Sequence, residues 1–259
     1  MTKFDFVSGP VPAHRHQNPD GTLGGWVAET ASVEPTVQVG PDARIYGNAK
    51  VGGKAVVTGH AKVSDHAKVG DNAKVFGHAH VYGHAVVGGN AHVYGLAVVR
   101  GKAHVRGHAQ VCDYAHIFGK AKVFGKAKVS GKALISNGAV ISGDAQVCGD
   151  AQVYGDVLIY DYAKVCGEAR VFDEAQVFGH AIVSGNTEVS GESRISGNAW
   201  IFENAQVSDD AIIQGKAKVF GNAIVEGDTT LEGDVGVFGD TKLEGGTFDG
   251  EEWIQEAPL

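Results

Sequence analysis

From Val27 to Leu243 every sixth residue is Val, Ile or Leu, 37 positions in one unbroken register. Two residues before each lies a second column, from Ala31 to Thr241, in which 29 of 36 members are Ala. Two residues after each aliphatic stands Gly, or less often Asp, Asn, Glu or Pro, so the unit reads A-x-V-x-G-x. Self-similarity at this period predicts a β-solenoid. Within A-x-V the side chains point inward, outward and inward, which is strand periodicity. Gly, Asp and Asn tolerate the left-handed backbone that a sharp corner needs. Three hexads then close one triangular coil. Parallel coils stacked at roughly 4.8 Å give about 12 coils and a rod on the order of 60 Å long. One small and one branched side chain per side can fill so narrow a coil.

With this repeat and the entry sequence Leu23-Gly24-Gly25-Trp26-Val27, the chain resembles the hexapeptide-repeat superfamily. More narrowly, it is similar to an uncharacterised bacterial and phage subgroup with A-x-V-x-G-x repeats. The resemblance implies an all-β fold, a left-handed parallel β-helix of triangular cross-section. The handedness comes from the resemblance alone. The chain departs from the commonest family pattern by placing Gly two residues after the aliphatic instead of one.

Three segments are expected: an irregular N-terminal cap at 1–24, the β-helix at 25–247, and a tail or cap at 248–259, because the register fails at Asp249. Both ends of a solenoid expose strand edges, which caps must cover. No stretch reads as a signal peptide or a membrane span, and a cytoplasmic or virion-associated protein is expected. Three cysteines do not make a disulfide framework. Cys148 and Cys166 fall one coil apart and are expected to be reduced. The net charge of −8 hides an asymmetry: +7 up to Ser130 and −15 from Gly131 onward. Overall acidity argues against a nucleic-acid partner. The opposed charges favour association of protein with protein.

Residues three hexads apart stack, so the outward positions form columns. One corner column holds Asp156, Glu174, Glu192, Asp210 and Asp228. Its carboxylates suit a cation such as Ca²⁺ or make a solvated edge. His60 stacks with His78 and His66 with His84, two weak metal candidates in corner slots that elsewhere take Asn, Lys or Asp. Phe202, Phe220 and Phe238 stack in consecutive coils near Trp200, and Tyr154 with Phe172 and Tyr160 with Phe178 form further pairs. Such aromatic ridges are association surfaces or stiffeners of the coil.

The reading is a non-enzymatic, rod-like scaffold or interaction protein that meets its partners through the charged and aromatic columns, without a cofactor. The subgroup resemblance adds a phage or mobile-element origin. The partner is expected to be a protein or further copies of the chain, a homotrimer included, and not a membrane. The alternative is a hexapeptide-repeat acyltransferase with an acyl-coenzyme A donor at a trimer seam. The resemblance implies that such an enzyme uses a histidine base and interrupts its repeat where the cleft forms. This repeat is never interrupted, and His180 shows no orienting partner.

Overall fold

The computed structural model describes residues 2–6 and 9–255. It is all-β: every element is a strand, and the chain divides into two compact units, residues 1–126 and 127–259. Each unit is a parallel β-solenoid.

Each hexad supplies a short strand, such as Lys62–Val63, with the first residue outward and the second buried. The pairing register is three hexads: Lys62 lies between Arg44 and His80, and Val63 between Ile45 and Val81. The backbone bonds follow one pattern per hexad. Lys62 N donates to Ala79 O at 2.9 Å, Ser64 N to Val81 O at 3.0 Å, and His66 N to Gly83 O at 2.8 Å. A fourth bond, Ala67 N to Ser64 O at 3.1 Å, closes the corner. The polar backbone of a coil is thus satisfied by the next coil, and the interior is left to Ala and aliphatic side chains, nearly all of them fully buried.

In the first unit, β1 (Lys3–Asp5), β2 (Pro10–Gln17) and β3 (Leu23–Ala28) open one sheet, which continues through every third hexad strand to His116–Ile117. A second sheet runs from β4 (Ser32–Val33) to Lys122–Val123, and a third from β5 (Gln38–Val39) to Gln110–Val111. In the second unit the three sheets run from Leu134–Ile135 to Lys242–Leu243, from Val140–Ile141 to Thr247–Phe248, and from Lys128–Val129 to Trp253–Ile254. The sheet that β4 opens has six strands and its counterpart in the second unit seven, in all one more than the count to Leu243 predicts.

The extra coil comes from a shortened hexad. Phe248 pairs with Leu231 and Trp253 with Gly236, a register one residue short of three hexads. Gly245 and Gly246 stand where the residue is lost, and Gly246 adopts φ +98°, which suits a side chain poorly. The ladder therefore continues through residues whose hexad spacing has slipped by one.

The segment before the repeats is more regular than its composition suggests. β2 pairs antiparallel with both β1 and β3. Pro10 and Pro12 mask this strand in the sequence, yet Pro12 still serves as an acceptor, taking the Glu29 N–H at 3.0 Å. His16 and Asn18 are buried and bind the backbone of the first coil. His16 Nε2 lies 2.9 Å from Val37 O. Asn18 donates to Val39 O at 3.1 Å and accepts from Val39 N at 2.8 Å. These side chains satisfy backbone groups in and beside β5, the first strand of its sheet. Phe4 stacks on Trp26, with ring centroids 4.6 Å apart, and Phe6 on Tyr46 at 5.0 Å.

Corners follow a rule of their own. Among the described residues, eight corner residues other than Gly have positive φ: Asp65, Asp71, Asp113, Asn137, Asp161, Asp173, Glu203 and Asp209. Each is followed three hexads later by Gly. Asp71 accepts the Gly89 N–H at 2.7 Å and Glu203 that of Gly221 at 2.8 Å. A corner acid thus caps the corner glycine of the next coil. Most of these acids are fixtures of the fold.

Four hydroxyls replace Ala inside the second unit. Thr229 and Thr241 donate to the carbonyls of Glu226 and Phe238, at 2.6 and 2.7 Å. Thr187 and Ser193 are fully buried and their hydroxyls have no hydrogen-bond partner. Such a group costs about 1–3 kcal/mol in desolvation. Thr187→Val and Ser193→Ala are each expected to stabilise the chain by about 1 kcal/mol, read as a higher urea midpoint. An unchanged or lowered midpoint would show that these hydroxyls are satisfied in solution.

Candidate functional site

The residue after each aliphatic lies at the mouth of a corner, and in the second unit three of these residues are stacked phenylalanines. Phe202 and Phe220 lie 4.8 Å apart and Phe220 and Phe238 5.3 Å apart, with interplanar angles of 7° and 9°. Trp200 packs on Phe202 at 4.4 Å and donates from its indole N–H to Ser184 Oγ at 3.3 Å. The sequence columns foresee these four rings. They miss Trp253, which the shortened hexad brings edge-on to Phe220 and Phe238, at 6.2 and 6.0 Å. The Lys218 ammonium lies 5.4 Å from the Trp253 ring centre. Gly236 makes room for that indole: a Cβ there would overlap its ring. The phenylalanines are half-buried, whereas Trp200 and Trp253 are 42% and 58% exposed. The result is one aromatic surface of five rings.

The acid column occupies a different corner. Asp156, Glu174, Glu192, Asp210 and Asp228 are all exposed there. Asp156 folds over Gly138, and Asp228 over Gly245, so part of the column turns onto its own backbone. Among the described residues, no three His, Cys, Asp or Glu side chains converge as a metal would require.

The histidine pairs stack as their spacing implies. His60 and His78 lie 4.8 Å apart, and His66 and His84 4.9 Å. A further histidine, His80, is marked in the sequence only by its four-residue spacing from His84. It is half-buried, its ring packs on Tyr82 at 4.4 Å, and its Nε2 lies 3.1 Å from the buried Ser64 Oγ. Burial, reinforced by the Lys62 ammonium, holds its pKa below the ordinary 6.5, with Asp65 opposing. Ser64 and His80 are 16 residues apart, a separation that no column of equivalent positions reveals. His180 does have a neighbour, stacking on Tyr162 at 4.8 Å.

Two grooves of about 400 Å³ cross the first unit. One is floored by Gly52, Gly70 and Gly88, stacked after Val51, Val69 and Val87. The carboxylates at its margin are turned inward, Glu34 to the Gly53 N–H and Asp71 to that of Gly89, at 2.8 and 2.7 Å. The other groove is lined by His60, His78 and His80 together with Arg44, Lys62 and Asp42.

Cys148 and Cys166 depart from the expectation that they are reduced. They form a disulfide across adjacent coils, with Cα atoms 4.6 Å apart. One coil's rise falls within disulfide reach, and the parallel side chains meet despite their common direction. Cys112 is buried.

Fold and surface together define a parallel β-solenoid of hexapeptide-type repeats, with an aromatic surface in its second unit and a basic groove in its first. No known protein-family model matches the chain, and no curated protein matches it either. No helix in the described residues is long and apolar enough to cross a membrane.

Proposed function

We propose that the chain acts by binding and not by catalysis, and that its second unit docks a protein partner on the aromatic surface of Trp200, Phe202, Phe220, Phe238 and Trp253. The observation that carries this reading is the frame of two exposed indoles around three half-buried phenyl rings. Aromatic side chains dominate the cores of protein interfaces, where their area is large and their conformational freedom small. Stiffening of the coil alone needs stacked rings, but it does not need exposed indoles. The acid column adds a charged edge at a separate corner.

The test compares the wild-type chain with the double variant Phe220→Ser/Trp253→Ser. Sedimentation velocity reads self-association, and cross-linking in a cell extract reads other partners. Loss of two such rings is expected to weaken the contact about 30-fold or more. If the variant keeps both self-association and every cross-linked partner, the surface is not an interface.

A further inference from the structure

The groove beside His80 has no part in the aromatic surface. Its floor is a strand column, Arg44, Lys62 and His80, held in register by direct ladder pairing. Its wall is the adjoining corner column, in which His60 and His78 stack above Asp42. Parallel pairing sets the strands of the floor roughly 4.8 Å apart, so Arg44 and Lys62 leave neighbouring coils on the same side. Among the described residues no carboxylate is ion-paired with Arg44 or Lys62. Other cations of the chain do find such a partner: Arg170 is paired with Glu188 at 3.1 Å and Lys132 with Asp150 at 3.7 Å, each one coil away.

The groups in the groove are also held in place. The Arg44 guanidinium lies 5.3 Å from the Phe4 ring centre. His80 is fixed between the Ser64 hydroxyl and the Tyr82 ring, and the His60 and His78 rings brace each other. Fixed N–H donors beside two cations that no carboxylate ion-pairs outweigh the one carboxylate of the lining, Asp42, and match an anion with several charged oxygens, because charge-assisted bonds are strongest where the donors are already placed. A volume of about 400 Å³ fits a small molecule.

We propose that this groove binds a small polyvalent oxyanion, bearing either phosphate or several carboxylates, through Arg44, Lys62 and the imidazoles of His60, His78 and His80. Isothermal titration calorimetry on the full chain at low ionic strength tests it, with pyrophosphate as one titrant and citrate as the other. Saturable binding at one site per chain is expected for at least one of them, and the preferred titrant assigns the phosphate or the carboxylate source. Lys62→Gln is expected to weaken binding about tenfold or more, and Lys62→Arg to keep most of it. Lys62 points outward, so neither variant touches the core; a melting curve of each confirms folding, and His80→Gln provides a second loss of affinity. Lys164→Gln, an exposed strand lysine of the second unit, is expected to change nothing. Absence of saturable binding by both titrants would overturn the proposal. So would equal weakening by Lys62→Gln and Lys164→Gln, which would reveal only general attraction to surface charge.

Discussion

Replacing Gly191 by Val is expected to cost about 3 kcal/mol or more of unfolding free energy. Two causes act at the same atom. Gly191 sits at φ +67°, in the left-handed region that a β-branched residue avoids. A Cβ built there lies 2.6 Å from the backbone N and O of Asp209 and 2.8 Å from its Cα. Those are backbone atoms of the next corner, and the ladder that holds them cannot give way at one coil alone. Gly191 also donates its N–H to Asp173 at 3.3 Å, so its neighbours on both sides are already acids at positive φ. Gly70→Ala is the control. It lacks positive φ and has nothing within 4 Å of a new Cβ, so its effect is expected to stay within about 0.5 kcal/mol. Urea denaturation reads both, and equal midpoints for the two variants would refute the corner argument.

Ile159→Ala is expected to cost about 2–4 kcal/mol. Ile159 is fully buried and pairs in the ladder with Ile141 before it and Val177 after it. The coil is built from one small and one branched residue per side, and here the small position is itself enlarged to Val157. Backbone bonds to the coils above and below fix the strands around the site. Leu158 N donates to Ala175 O at 3.1 Å and Tyr160 N to Val177 O at 3.1 Å. Such walls collapse little onto a cavity, which places the cost well above the transfer term alone. The midpoint should fall with the m-value unchanged. A loss under about 1 kcal/mol would mean that the interior relaxes freely.

Much of the fold is legible in the sequence because its rule is local. Whether a residue points in or out depends only on its place in A-x-V, and one hexad decides it. The alternation therefore predicts the buried columns and the pairing of residues three hexads apart. Four of the five rings of the aromatic surface follow from the same arithmetic, as do both stacked histidine pairs. The N-terminal strand does not, because Pro10 and Pro12 lower its strand signal while the backbone groups they remove are not needed there.

Most of the remaining failures share one cause. The column arithmetic treats coils as identical and compares only equivalent positions. Trp253 reaches Phe220 and Phe238 through a hexad one residue short, so its place depends on how Gly245 and Gly246 take up the missing residue. Ser64 meets His80, and Ser184 meets Trp200, at a separation of 16 residues, from one coil diagonally to the next. Such contacts exist only when side chains of different length lean across a corner. The bond between Cys148 and Cys166 is a separate case: the two share a column, and side-chain direction in three dimensions decides whether they meet.

By itself, then, the sequence determined the repeat, its strands and corners, and the sorting of inward from outward residues, because each is set by the backbone preferences and polarity of adjacent residues within one hexad. Tertiary structure alone decided the meetings that the columns leave open: Trp253 on the aromatic surface, His80 on Ser64, and the disulfide. Those meetings depend on coil closure and on side chains crossing between coils, and neither is encoded within a single hexad.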